Sequence, residues 1–127
     1  MLKLSLALVA LAACSVTDDR PETLAYITET ILAPNCATAE CHSATKREFG
    51  YMFDSVDHTQ QSIKDGNLIA VCDMPPCDTA PANSDLLTVI TTKDSYGNRM
   101  PLDEPLPDLD AVLIAKWITD GANGYTP

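Results

Sequence analysis

Basic residues are scarce in this chain. Eight Lys and Arg stand against eighteen Asp and Glu, and the net charge is −10. Nucleic-acid binding requires a basic face, so this balance excludes it. An acidic surface suits solubility and, at most, a partner with a basic docking face. Membrane-length apolar runs are missing too. The run from Leu4 to Leu11, broken only by Ser5, is about half of what a spanning helix needs. There is no internal repeat, no low-complexity stretch and no segment with the character of a strand. A Ser/His/Asp set, paired catalytic carboxylates in a recognisable frame and a phosphate-cradling glycine loop are likewise absent, so the expectation is a non-enzyme.

What is present begins with a leader. Lys3 gives a short positive start, Leu4 to Leu11 an apolar core, and Leu11-Ala12-Ala13-Cys14 a small-residue cleavage site. Those last four residues resemble the lipobox of bacterial lipoproteins, in which the Cys is lipidated and becomes the first mature residue. The expected organisation is a signal peptide over 1–13, a lipidated tether over 14–21 and one domain over 22–127. Acyl chains on Cys14 anchor such a domain on the periplasmic side of a membrane without spanning it. By resemblance to enteric lipoproteins, Ser15 after the Cys favours the outer membrane. A domain of that size needs a staple or a cofactor beside its apolar core.

Periodicity predicts an all-α domain with long loops. Leu24, Ile27 and Ile31 recur at helical spacing over Glu22 to Leu32, and Pro34 is expected to stop that helix. Asp54 to Asp65 is a weaker helix, with Gly66 as its stop. Val71 to Asn83 is loop, holding Pro75, Pro76 and Pro81. Ser84 is an N-cap candidate for Asp85 to Thr91. After a second loop, Leu109, Val112, Leu113, Lys116 and Trp117 follow a period near 3.6, widened by Ile114 and Ile118, with Asp108 and Asp110 at the positive end and Gly121 at the stop.

Cys36, Cys41, Cys72 and Cys77 remain after Cys14, in an oxidising compartment where an unpaired thiol is out of place. Cys36-Ala37-Thr38-Ala39-Glu40-Cys41-His42 is the informative run. A c-type haem needs two thiols to add across its vinyl groups and a His to reach the iron. The common spacing is C-x-x-C-H; here four residues separate the cysteines. Spacing alone leaves three readings open: haem attachment, a Cys36–Cys41 disulfide with His42 a bystander, or a four-cysteine zinc site.

The C-terminal third adds a second ligand. Met thioether is a common axial partner of haem iron, and Met100-Pro101 lies in the loop before the last helix. At this point the chain resembles the small single-haem c-type cytochromes, particularly diverged bacterial domains in periplasmic and lipoprotein settings. The elements are a helix, a Cys…Cys-His run, the Ser84-Asp85-Leu86-Leu87 segment, a Met-Pro loop and a terminal helix ending Trp117-Ile118-Thr119-Asp120-Gly121-Ala122. They span about residues 22–122.

The resemblance implies one haem c, with Cys36 and Cys41 as thioether cysteines, His42 as proximal and Met100 as distal iron ligand. It implies that the first and last helices pack together beside the haem and that Trp117 sits in the apolar shell around it. Met74, before Pro75, and His58 compete for the distal position. Tyr51 and Tyr96 are candidate propionate partners, and Met52 is a core candidate. Cys72 and Cys77 are expected to form a structural disulfide that holds Met74 in a tight loop far from the terminal helix. The implied function is electron transfer to or from a redox partner protein, with His/Met ligation raising the potential relative to bis-His. Non-redox lipoprotein modules stapled by disulfides or zinc are the alternatives, and a haem sensor lacking the Met100 bond is another.

Overall fold

The computed structural model describes residues 17–127. The expected signal peptide and Cys14 lie outside the described residues. Within them the domain is all-helical, with four helices and no strand. No helix among the described residues is long and apolar enough to cross a membrane.

Helix α1 is one continuous run, α-helical over Leu24–Ile27, wider over Thr28–Leu32 and α-helical again over Ala33–Cys36. Thr23 caps it by accepting from the Tyr26 N–H at 3.2 Å. The expectation that Pro34 ends this helix is wrong. The Ala33 N–H reaches back five residues to the Thr28 carbonyl. The missing donor of Pro34 therefore falls where the ladder changes register, and the wider turn makes room for its ring. The helix thus runs to Cys36 and delivers that residue directly to the site.

Helix α2 spans Val56–Gly66, with Ser55 accepting from the His58 N–H at its start. Asn67, in the left-handed region at φ 49°, ends it. Gly66 has a different duty from the stop expected of it. A Cβ there would come within 2.7 Å of the Tyr51 ring and 2.8 Å of Leu68, so close packing demands glycine. Helix α3 spans Asp85–Thr91. Ser84 precedes it, but its buried hydroxyl does not cap α3. It donates to the Ala80 carbonyl at 2.7 Å and accepts from the Ala70 N–H at 2.9 Å, tying two loops together.

Helix α4 spans Asp108–Thr119. Its buried face is Leu113, Ile114, Trp117 and Ile118, while Leu109 and Val112 are each 56% exposed. The face is thus rotated from the one the sequence periodicity suggested, toward the two isoleucines. These four residues form one core with Leu24, Ile27, Ile31 and Leu32 of α1 and Ile63 of α2. Ion pairs flank it: Arg20 with Asp18 and Asp110, and Lys116 with Glu22 and Asp120. The Leu24 N–H donates to the Asn123 carbonyl at 2.9 Å, closing the chain ends on each other.

Cys72 and Cys77 are disulfide-bonded. Their loop does not stand apart from the terminal helix, as the sequence reading supposed. The Cys77 N–H donates to the Thr119 carbonyl at 2.6 Å, and Pro75 packs so close to Gly121 that a Cβ there would lie 2.7 Å from it. The last carbonyls of α4 need donors, and this loop supplies one.

Candidate functional site

The site is built from the loop after α1, helix α3 and the loop before α4. The Cys36–His42 run folds on itself: the Cys41 N–H donates to the Thr38 carbonyl at 3.0 Å and the His42 N–H to the Cys36 carbonyl at 2.9 Å. These bonds absorb the four-residue gap as a closed turn. The Glu48 N–H then returns to the Cys41 carbonyl and the Phe53 N–H to the His42 carbonyl, at 3.1 and 2.9 Å. His42 is therefore held by its backbone on both sides.

Its ring is held as well. Nδ1 lies 3.0 Å from the Glu48 carbonyl oxygen. A carbonyl only accepts, so Nδ1 carries the proton and Nε2 keeps its lone pair. Nε2 takes no partner among the described residues. The Phe53 ring meets the imidazole edge-on at a centroid distance of 5.3 Å. The Glu48 carbonyl is aimed by an unusual turn, in which Arg47, Phe49 and Gly50 all lie in the left-handed region at φ 52°, 53° and 84°. A bulky residue such as Phe49 adopts that conformation only where its surroundings force it.

Two adjoining cavities open beside His42. The inner one, about 210 Å³, is walled by His42, Tyr51, Phe53, Leu86, Ile90 and Met100 among others. The outer one, about 420 Å³, has Cys41, Glu40, Glu48, Pro101, Leu102 and Asp103 on its walls. Cys36, His42, Phe49 and Met100 line both, so the two form one cleft. The Met100 N–H donates to the Val89 carbonyl of α3 at 2.7 Å, which fixes the loop carrying the thioether. Cys36 and Cys41 are free thiols. Burial, and then the neighbouring Cys41 sulfur, push the Cys36 thiol up to about 12.

Of the residues singled out in the sequence, Cys36, Cys41, His42, Tyr51 and Met100 come together on this cleft. The others do not. Met74 is 82% exposed and Tyr96 87% exposed. His58 bonds Asp54 at 2.6 Å, away from the cleft walls. Met52 is only half-buried, its backbone tied to Ser62. Trp117 is fully buried but does not line the cleft; its Nε1–H donates to the Asn123 carbonyl at 3.0 Å. It serves the core and the C-terminal tail instead of a cofactor shell. With Cys72 and Cys77 bonded to each other, a four-cysteine zinc site is not assembled. No group of three or more His, Cys, Asp or Glu among the described residues is arranged to hold a metal.

Sequence reasoning missed Phe49, Leu68 and Val89 as cleft residues. Leu86, Val89 and Ile90 recur at helical spacing, which was a usable signal. Phe49 carried none, because its place depends on a backbone conformation the residue disfavours. No family model, no curated protein and no solved structure matches this chain.

Proposed function

We propose that this domain is an electron carrier holding one c-type haem in the cleft between His42 and Met100, as part of a periplasmic protein lipid-anchored through Cys14. The observation that carries the reading is the cleft itself. It is mainly apolar, with an imidazole whose free Nε2 is oriented by a backbone hydrogen bond, a thioether and two unbonded thiols on its walls. A bound haem supplies one-electron redox chemistry at its iron.

The chain's own residues do the rest. Cys36 and Cys41 are the thiols for the two thioether links, and the turn closed by His42 and Cys36 places the imidazole next to them. The Glu48 carbonyl orients the His42 ring. Met100 would hold the group with its thioether, its loop fixed by the bond to the Val89 carbonyl. Phe53, Leu86 and Ile90 exclude water from that space. Were His42 and Met100 both to hold the iron, a substrate would have no place on it, so the reading is a carrier and not an oxidase or peroxidase.

The test is the near-red absorption of the oxidised, matured protein. A sulfur-to-iron charge-transfer band is expected and should vanish in Met100→Ala. A pigmented protein lacking that band before substitution contradicts the Met100 assignment and leaves a sensor-type site.

A further inference from the structure

This inference rests on the haem reading and concerns the residues that meet the haem propionates. A third cavity, about 220 Å³, has Thr92, Lys93, Asp94, Asn98 and Arg99 on its walls. It shares Val89 and Met100 with the inner cavity and Met100 and Leu102 with the outer one, so it adjoins the cleft at Met100. The loop that forms it is closed on itself. The Asp94 N–H donates to the Asn98 carbonyl at 2.7 Å and the Gly97 N–H to the Asp94 carbonyl at 3.0 Å. The Asp94 carboxylate accepts from the Tyr96 and Asn98 N–H groups at 2.8 and 2.9 Å. This closure stands Lys93 and Arg99 at the two ends of one short loop.

Neither cation has an ion-pair partner among the described residues, whereas Arg20 and Lys116 each bind two carboxylates. Elsewhere the charged side chains on the cleft walls are acidic apart from His42: Asp85 in the inner cavity, and Glu40, Glu48 and Asp103 in the outer one. A haem has vinyl groups on one edge, which the cysteines take, and two propionates on the opposite edge. Carboxylates brought against Glu40, Glu48 or Asp103 are repelled, whereas the one carboxylate on the Lys93–Arg99 wall, Asp94, already accepts from the Tyr96 and Asn98 N–H groups and stands with two cations. Cys36, Cys41 and His42 do not line the Lys93–Arg99 cavity, so it lies away from the thioether edge.

We propose that Lys93 and Arg99 seat the haem propionates, on the edge opposite the one the thioether cysteines hold. The Arg99 guanidinium offers a planar fork to one carboxylate, and Lys93 a compact point charge. The Asn98 amide and Thr92 hydroxyl are additional donors on the same wall.

The experiment compares matured wild-type protein with Lys93→Gln/Arg99→Gln and with a control, Lys64→Gln, which removes an exposed cation of α2 outside all three cavities. Two readouts are taken: the propionate-bending band in the resonance Raman spectrum, which follows hydrogen bonds to the haem carboxylates, and the reduction potential. The double variant is expected to shift the band and lower the potential, with each single variant giving part of the change and the control none. A pigmented double variant with an unmoved band overturns the seat, even if the potential falls, because that fall would be through-space charge alone. A colourless wild-type protein overturns the haem reading itself, and the seat with it.

Discussion

The molecule has two differently finished regions. Around Trp117 the protein closes on itself: Leu24, Ile27, Leu32, Ile114 and Trp117 are at most 1% exposed, and ion pairs and the Leu24–Asn123 bond seal the edges. Around His42 it does not. Phe49 is 77% and Leu102 68% exposed, and Val89 is 44% exposed, all three on cavity walls. These three side chains share the walls of adjoining cavities, whereas the exposed Leu109 and Val112 of α4 line none of them. One region is closed by the chain's own side chains; the other leaves an open, mainly apolar cleft.

That contrast is broken most severely by removing the attachment. Cys36→Ala/Cys41→Ala is expected to abolish covalent haem, read as loss of pigment after denaturation. The core region answers differently. Trp117→Ala should cost about 3–5 kcal/mol in a denaturant titration, yet the folded protein is expected to keep the visible spectrum of the unmutated one, because Trp117 lies outside the cleft. Cys72→Ser/Cys77→Ser removes a short loop closure worth about 2 kcal/mol and frees the last turn of α4, again without changing the spectrum.

Two smaller effects sharpen the comparison. The Cys36 thiol, held protonated by burial, should react with iodoacetamide in apo protein at pH 8 more slowly than an ordinary surface thiol. Faster reaction would mean the inner cleft is open to water. At the surface, the hydrogen bond from His58, helped by the Ala44 N–H, holds the Asp54 carboxyl below the usual carboxylate range. A depressed carboxylate stabilises the fold at pH values above its unfolded pKa and loses that contribution as pH falls through the folded value. Asp54→Asn should therefore flatten the acid limb of stability below about pH 4. The pair is exposed, so the change is under about 0.5 kcal/mol, measured by thermal melts from pH 3 to 6.

The helices were largely legible from periodicity, since apolar spacing reports a buried stripe. Helix α3 matches its sequence reading residue for residue. Local rules failed where long-range packing overrode them. Pro34 is carried through by a wider turn, Gly66 is set by the Tyr51 ring and not by helix termination, and Ser84 spends its hydroxyl on two loops. In the site, the ligand-type residues could be named from chemistry, because Cys, His and Met have few uses at such spacings. The walls were only partly legible: Val89 shares the helical spacing of Leu86 and Ile90, whereas Phe49 reaches the cleft through a left-handed backbone that its sequence does not announce. Trp117 misled for the converse reason: a lone Trp in the terminal helix fits a core as well as a cofactor pocket.

Covalent haem on Cys36 and Cys41 is decided by expressing the chain in a host with c-type maturation machinery and extracting the purified protein with acid–acetone. The expected result is a coloured polypeptide that keeps its haem through extraction. A colourless protein, or one whose pigment passes wholly into the solvent, contradicts it.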